Sequence, residues 1–338
     1  MIRLRLPHVS GTLLGQLAPL PARLCPNVED CLRSGTLLLE RAGIETARLD
    51  VECLLAHVLG WARWRLVTER RRRLTPDEFG RYLSLLHRRE LREPLAYLVG
   101  TREFWSLGLR VSPGVLVPRP ETETLVEAAL SLFRHKCPAS GNGSFDPRPG
   151  YPASELGAPG SSHPILIDLC TGSGAVAIAL ARELPGATVL ATDISRRALR
   201  IARSNAEAHG VVDRITFLRG DLWRALNGDG PGGQADLVVS NPPYIPSGII
   251  PTLMPEIQWE PRRALDGGRD GLDFHRAIIA GAPQHLRPGG SLLLEIGVDQ
   301  AESVTRLLAE SGEFDAIRVL PDLAGRDRVV VARRRNCR

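Results

Sequence analysis

From residue 165 onward the chain repeats one pattern. A short run of consecutive apolar residues is followed by a turn, and then by a stretch with apolar residues at helical spacing. A run that is apolar on both faces suits a strand covered by helices on either side. Strands are expected at 165–170, 188–193, 215–221, 235–240, 291–297, 314–320 and 328–332. Helices are expected at 174–184, from a Ser195 cap to about 209, at 273–286 and at 300–310. The alternation specifies an α/β fold with a doubly wound, seven-stranded, Rossmann-like sheet. Ligands of such sheets sit beyond the carboxyl ends of the strands, so the residues just after each strand are where chemistry is to be sought.

Upstream the pattern differs. Residues 28–100 carry helical spacing broken by Gly43 and Gly60, and Thr75-Pro76-Asp77-Glu78 has the composition of a helix start. A small helical bundle is expected there. Residues 101–118 switch to strand-like spacing through Phe104, Trp105, Leu107, Leu109, Val111, Val115 and Val117, with turns expected at Gly108 and Pro113-Gly114. This reads as a β-hairpin linker, followed by a helix that opens at Pro118–Glu123. The expected organisation is therefore a disordered extension at 1–27, the bundle at 28–100, the linker at 101–118 and the α/β domain at 119–338. Residues 137–164, rich in Pro, Gly and Ser, are expected to form a flexible insertion in that last domain.

Charge is uneven. Residues 1–100 hold 16 Arg and 11 acidic residues, whereas the remaining 27 basic and 27 acidic residues cancel, so the whole excess of +5 lies in the first part. That suits an acidic partner or nucleic acid, or simply a solvated surface. Cys25, Cys31, Cys53, Cys137, Cys170 and Cys337 form no C-x-x-C pair, so no metal site is expected. Free thiols inside apolar runs fit a reducing cytoplasm. No apolar run is long enough for a membrane span. The first 24 residues lack acids, but Pro7, Pro19 and Pro21 interrupt any targeting helix.

Asp168-Leu169-Cys170-Thr171-Gly172-Ser173-Gly174 stands at a strand-to-helix turn. Glycines there let the backbone turn sharply and approach a ligand. The loop alone also satisfies a loose dinucleotide fingerprint. Asp168 tips the reading, because a carboxylate would repel a pyrophosphate but attract the cationic methionine portion of S-adenosylmethionine. Asp193, at the end of the next strand, is placed to accept hydrogen bonds from ribose hydroxyls. Trp223, after the third strand, offers a stacking face for adenine, or else fills the core.

Ser240 ends a clean apolar strand, and Asn241-Pro242-Pro243-Tyr244 follows. The spacing has a chemical purpose. Asn241 accepts through its side-chain oxygen, Pro242 through its carbonyl, and the two prolines fix the backbone. Two acceptors aimed at one NH2 group orient it and favour loss of planarity. Tyr244 stacks on a flat target. Catalytic roles are assigned to Asn241, Pro242 and Tyr244, and substrate binding to Asn241, Pro242, Pro243 and Tyr244. The clamp by itself accepts either an amide or a nucleobase amine.

At this point the chain resembles the protein-(glutamine-N5) methyltransferases of peptide chain release factors, the HemK/PrmC family. The likeness spans about 28–335. It rests on Glu93–Gly100, Phe104-Trp105, Val117-Pro118-Arg119-Pro120-Glu121-Thr122-Glu123, Asn241–Tyr244, Glu260-Pro261, Ala264–Gly268 and Asp270-Gly271-Leu272. It implies a class I methyltransferase fold. It also implies an S-adenosylmethionine-dependent N-methyltransferase that acts on the Gln of Gly-Gly-Gln in class 1 release factors. Cofactor contacts carry over to Cys170, Thr171, Gly172, Ser173, Gly174, Asp193, Trp223 and Asn241. The helical part would dock the release factor; no stable nucleic-acid complex and no membrane are expected, and a monomer is. Cys170 departs from the glycine of many relatives, and the 137–164 insertion is longer than usual. DNA or RNA adenine methylation is the alternative, although no helix-turn-helix or zinc module supports it. A non-catalytic cofactor-binding scaffold is the third reading.

Overall fold

The computed structural model describes residues 25–133, 163–226 and 234–336. Most of the extension expected at 1–27 and nearly all of the 137–164 insertion lie outside the described residues, as do Cys137 and Cys337. Cys25 is buried, and the Asn27 side chain accepts from Asp30 N. The chain divides into two compact units, the first ending at Val99 and the second starting at Gly100.

The elements described in the first unit are helices: α1 (Val28–Arg41), α2 (Ala47–Leu59), a single turn α3 (Arg65–Thr68), α4 (Pro76–Glu90) and α5 (Leu95–Val99). Its limits follow local chemistry. Gly60 closes α2 in the left-handed conformation. Thr75 and Glu78 form a reciprocal capping box at the start of α4, with Pro76 in the first turn. Leu39, Val51, Leu54, Leu55 and Tyr82 fill the interior. The Tyr82 hydroxyl donates to the Cys31 carbonyl at 2.9 Å, and Arg89 meets Asp50 at 2.6 Å in a buried ion pair.

The second unit opens with an antiparallel hairpin, β1 (Thr101–Phe104) and β2 (Leu107–Arg110). Its turn is not at Gly108, as the glycine suggested, but at Trp105-Ser106, both with positive φ (52° and 57°). Two positive φ values are what the right-handed twist of a two-residue hairpin turn demands. Non-glycine residues hold them because the turn is tethered. Trp105 N donates to Glu123 Oε1 and its indole Nε1 to Glu183 Oε1, at 2.8 and 2.9 Å. Gly108 instead sits in the ladder opposite Glu103.

Beyond α6 (Glu123–Ser131) the described chain continues as β3 (Ile165–Leu169), α7 (Ala175–Glu183), β4 (Thr188–Asp193), α8 (Arg196–Ala208), β5 (Ile215–Arg219) and β6 (Ala235–Ser240). It ends with α9 (Asp273–His285), β7 (Leu286–Glu295), α10 (Ala301–Glu310), β8 (Phe314–Pro321) and β9 (Asp327–Arg334). The seven strands lie in the order β5-β4-β3-β6-β7-β9-β8. The first five are parallel, and β9 runs antiparallel to both β7 and β8. β7 begins at Leu286, five residues earlier than its apolar run indicated, because Leu286 pairs with Ala235 ahead of the Pro288-Gly289-Gly290 segment. Hydrophobic cores cover both faces of the sheet. The strand order reverses between β3 and β6, so these two neighbours open a crevice at their carboxyl ends.

Candidate active site

Both sequence motifs lie in that crevice. β3 leaves the sheet through Cys170, Gly172 and Gly174, all in the left-handed region with φ of 61°, 57° and 84°. Thr171 N donates to Thr192 O on β4, at 2.9 Å, which fastens the loop to the next strand. Gly174 precedes the first turn of α7. A Cβ there would stand 3.0 Å from both the Ala202 Cβ and the Ile178 Cδ1, so a side chain has neither room nor favourable backbone. Asn205 Nδ2 secures the loop from α8 by donating to Ser173 O at 2.9 Å.

Two carboxylates flank this loop. Asp168 is 2% exposed and accepts from the Thr171 hydroxyl at 2.6 Å. Burial pushes its carboxyl up to about 7, against the pull of hydrogen bonds from Thr171 and the Ala177 N–H. Asp193 accepts from Gly172 N through Oδ2 at 2.9 Å and from Ser195 N through Oδ1 at 2.8 Å. Burial raises it too, opposed by those same N–H donors. The Cys170 thiol is raised, first by burial and then by the charges of Asp193 and Asp168. It is held neutral and is no nucleophile.

One strand over, β6 is buried along its whole length, and Ser240 Oγ donates to Leu169 O at 2.8 Å. Asn241 follows. Its Nδ2 donates to Thr122 Oγ1 at 3.0 Å, so Oδ1 is the atom left to face outward. Among the described residues no hydrogen bond claims Asn241 Oδ1 or the Pro242 carbonyl. Pro242 and Pro243 are buried. Tyr244 is partly covered; its hydroxyl lies 3.4 Å from Glu295 Oε1, and its carbonyl accepts from Gln300 Nε2 at 2.9 Å.

The segments flanking the clamp are its supports. Val117–Glu123 runs beside it. Glu260, buried, accepts from Val117 N at 3.1 Å and from Arg119 Nη2 at 2.5 Å, tying two distant motifs together. The loop 264–272 packs backbone against backbone on the clamp. Ile245 N donates to Leu265 O and Gly267 N returns to Ile245 O, both at 2.9 Å. A Cβ on Gly267 would fall 2.8 Å from Pro243 O and 2.8 Å from the Tyr244 Cα, so only glycine permits the contact.

A pocket joins these parts, walled by Pro118, Arg119, Thr122, Asp168, the loop from Cys170 to Ser173, and Asn241. Asp193 reaches it through Gly172. Trp223 is not part of that wall. Its ring stacks on His285 with centroids 4.5 Å apart and planes 4° from parallel, and Nε1 donates to Ala277 O at 3.0 Å. One face of the indole is thus committed to α9. Sequence reasoning assigned no role to Thr122, Glu260, Gly267 or Glu295. Thr122 and Glu260 lay within motifs used only for resemblance, whereas Glu295, at the end of a strand, carried no local signal.

Comparison with known proteins follows the two units. Residues 30–100 match the family described as the PrmC N-terminal domain, and 166–258 match a methyltransferase domain family. The release factor glutamine methyltransferase of Moorella thermoacetica is 42% identical over 88% of this chain and 95% of its own. That of Geobacter sulfurreducens is 40% identical over 87% of this chain and 92% of its own. A solved structure of a release factor-specific protein-(glutamine-N5) methyltransferase from Alicyclobacillus acidocaldarius is 28% identical, with a TM-score of 0.36. It covers 68% of this chain and 99% of that one. A class I, Rossmann-like methyltransferase sheet with an N-terminal helical region fits both family matches.

Proposed function

The chain belongs to the release factor glutamine methyltransferases, and from that premise we propose that it methylates the side-chain nitrogen of the Gln in the Gly-Gly-Gln tripeptide of class 1 release factors, with Asn241–Tyr244 as the clamp. Methyl transfer to a release factor glutamine is the activity of the family. The tripeptide and the residue roles are our reading. An adenine target is not favoured by these relatives.

The observation that carries the reading is the state of Asn241. Its Nδ2 already donates one hydrogen to Thr122, while Oδ1 and the Pro242 carbonyl accept no hydrogen bond from the described residues. Those are two acceptors at one place, and the target is an NH2 group with two hydrogens. Holding both hydrogens pulls the nitrogen lone pair out of conjugation with its carbonyl and aims it at the methyl donor; the gain is in alignment. As the nitrogen becomes cationic, the same two oxygens hold its two hydrogens, one of which then leaves as a proton to solvent while the other stays on the methylated amide. Tyr244 supplies a flat apolar wall for the amide plane.

The family and the fold imply S-adenosylmethionine as the cofactor. The residues present fit it. Asp168 offers a buried carboxylate for a cationic group, the Cys170–Gly174 loop lets a ligand approach backbone closely, and Asp193 keeps lone pairs for ribose hydroxyls. Trp223, stacked on His285, is the ring we assign to the adenine. When bound, S-adenosylmethionine supplies a methyl group on a sulfonium, whose departure needs neither metal nor strong base. The helical unit docks the body of the release factor, aided by the positive balance of residues 1–100, of which Arg3, Arg5 and Arg23 supply part.

The test is methyl transfer from labelled S-adenosylmethionine to purified release factor. Labelling that is lost when the Gly-Gly-Gln glutamine is replaced supports the reading, and equal labelling of both factors refutes it.

A further inference from the structure

Gln300 stands at the start of α10, where short side chains such as Ser or Asp commonly cap the first turn. Its own side chain makes no such cap. The backbone alone serves the helix, its N–H donating to Gly297 O at 3.1 Å and its carbonyl accepting from Val304 N at 2.9 Å. The amide is spent elsewhere. Oε1 accepts from Gly297 N at 2.9 Å. Nε2 donates to Tyr244 O at 2.9 Å and to Gly271 O at 3.4 Å. Three segments thus meet on one primary amide: the turn after β7, the clamp after β6, and the loop 264–272. Turned over, that amide would set donor against the Gly297 N–H and acceptor against two carbonyls, so it has a single orientation.

Two glycines make the meeting possible. A Cβ on Gly271, whose φ is 78°, would strike Tyr244 O and stand 2.7 Å from Gln300 Nε2. A Cβ on Gly297 would stand 3.1 Å from Gln300 Oε1 and 3.6 Å from Tyr244 Cδ2. The space that side chains would need is taken by Gln300 and by the Tyr244 ring.

We propose that Gln300 is a positioning residue that sets the plane of the Tyr244 ring, and through it the plane of the target amide. This rests on the clamp reading above. Asn241, at the near end of the clamp, follows directly on β6, which is paired on both sides. By Tyr244 the chain has left the sheet. The two prolines fix their own φ angles but not the torsions of Tyr244. Those are set by the peptide unit that joins Tyr244 to Ile245. Its N–H donates to Leu265 O at 2.9 Å, and its carbonyl accepts from Gln300. Held on both edges, that unit cannot pivot, and the direction in which the Tyr244 side chain leaves the backbone is fixed with it. Without Gln300 the unit turns on its one remaining bond and the ring tilts. A tilted wall misaligns the bound amide with the methyl donor, a loss of alignment more than of binding.

The experiment measures kcat and KM on intact release factor at saturating cofactor, with cofactor affinity and thermal unfolding followed in parallel. Gln300→Met keeps the volume of the side chain and removes its three hydrogen bonds. Its kcat is expected to fall about tenfold or more, with KM and cofactor affinity within about twofold of wild type. A residue that acts through the Tyr244 ring has nothing left to act on once the ring is gone. Adding Gln300→Met to Tyr244→Ala is therefore expected to lower kcat little beyond Tyr244→Ala alone. A Gln300→Met kcat equal to wild type, or a loss that persists in full on the Tyr244→Ala background, overturns the proposal. Should Gln300→Met not fold, Gln300→Glu keeps the Gly297 bond, turns the donor into an acceptor and carries the same two comparisons. Tyr244→Leu likewise replaces Tyr244→Ala. A wild-type protein that labels no release factor refutes the function itself; an active wild type matched by its Gln300 variants refutes only the positioning role.

Discussion

Thr171 donates its hydroxyl to Asp168 Oδ2 across 2.6 Å, within a carboxylate environment that is 2% exposed. The bond joins the end of β3 to the loop that follows it, so the ionisation of Asp168 and the shape of the loop we assign to the cofactor are coupled.

Because burial lifts Asp168 to about 7, its charge develops near neutrality. A cationic ligand group prefers the ionised form, so cofactor affinity is expected to rise from pH 6 to pH 8. Asp168→Asn should weaken binding about tenfold or more at pH 8 and flatten the dependence. Titration calorimetry at several pH values checks both. The effect on folding has the opposite sign. A folded-state acid raised above its ordinary value holds a proton that the unfolded chain has lost, so this group's contribution to stability falls as pH rises from about 4 to about 7.

Replacing Asn241 by Ala removes one of the two open acceptors and leaves Thr122 without its donor. Turnover on release factor should fall by about 10²-fold or more, with cofactor affinity nearly intact. Because the side chain is only partly buried, the melting temperature should shift by a few degrees at most. Rapid-quench kinetics and calorimetry on one preparation separate the two effects.

Gly267 touches the clamp with backbone alone. Gly267→Ala forces a methyl toward Pro243 O and the Tyr244 Cα, and one of the two segments must move. The expected stability loss is about 1–3 kcal/mol. Since a shift of about 1 Å at the reacting centre is costly, kcat should drop by roughly tenfold or more. Normal turnover in the folded variant would show that the loop yields instead of the clamp.

Cys170 holds φ at 61°, where a branched side chain is strained. Cys170→Gly should leave stability within about 1 kcal/mol of wild type, because relief of strain is offset by the greater freedom of the unfolded chain. Cys170→Val should be less stable than the glycine variant by about 1–2 kcal/mol. Urea titrations give the order directly, and a valine variant as stable as the glycine one would remove strain from the account.

Arg119 is the partner of buried Glu260, whose carboxyl burial already raises. Arg119→Ala leaves that carboxylate unpaired, at a cost of about 3 kcal/mol or more. The loss should be greater at pH 8 than at pH 5, since protonating Glu260 relieves it. Chemical denaturation at the two pH values tests the sign.

The parts of this molecule that were legible in the sequence are those whose signal is local. The apolar runs of β3, β4 and β6 sit where they do because each is buried on both faces, and the proposed clamp is readable because its four residues are consecutive. The hairpin turn lies at Trp105-Ser106 and not at Gly108 because tethering outweighs the glycine: Glu123 and Glu183 hold Trp105 in its turn from 18 and 78 positions away. The antiparallel setting of β8 and β9 was not readable, since an apolar run has no direction. Thr122 and Glu295 were missed for the same reason. Their partners lie 119 and 51 residues distant, and only the folded chain brings them together.

Leu169 and Ser240 are register partners in adjacent parallel strands, and each is followed at once by its half of the site. On the proposed reading, donor and acceptor are thereby measured out by a ruler of backbone, one strand spacing or about 4.8 Å wide. The polypeptide between them loops through two further strands and two helices without entering into that distance. Insertions or drift in those connections can retune how the cofactor's outer parts are gripped, while the gap that a methyl group must cross stays calibrated by the sheet itself.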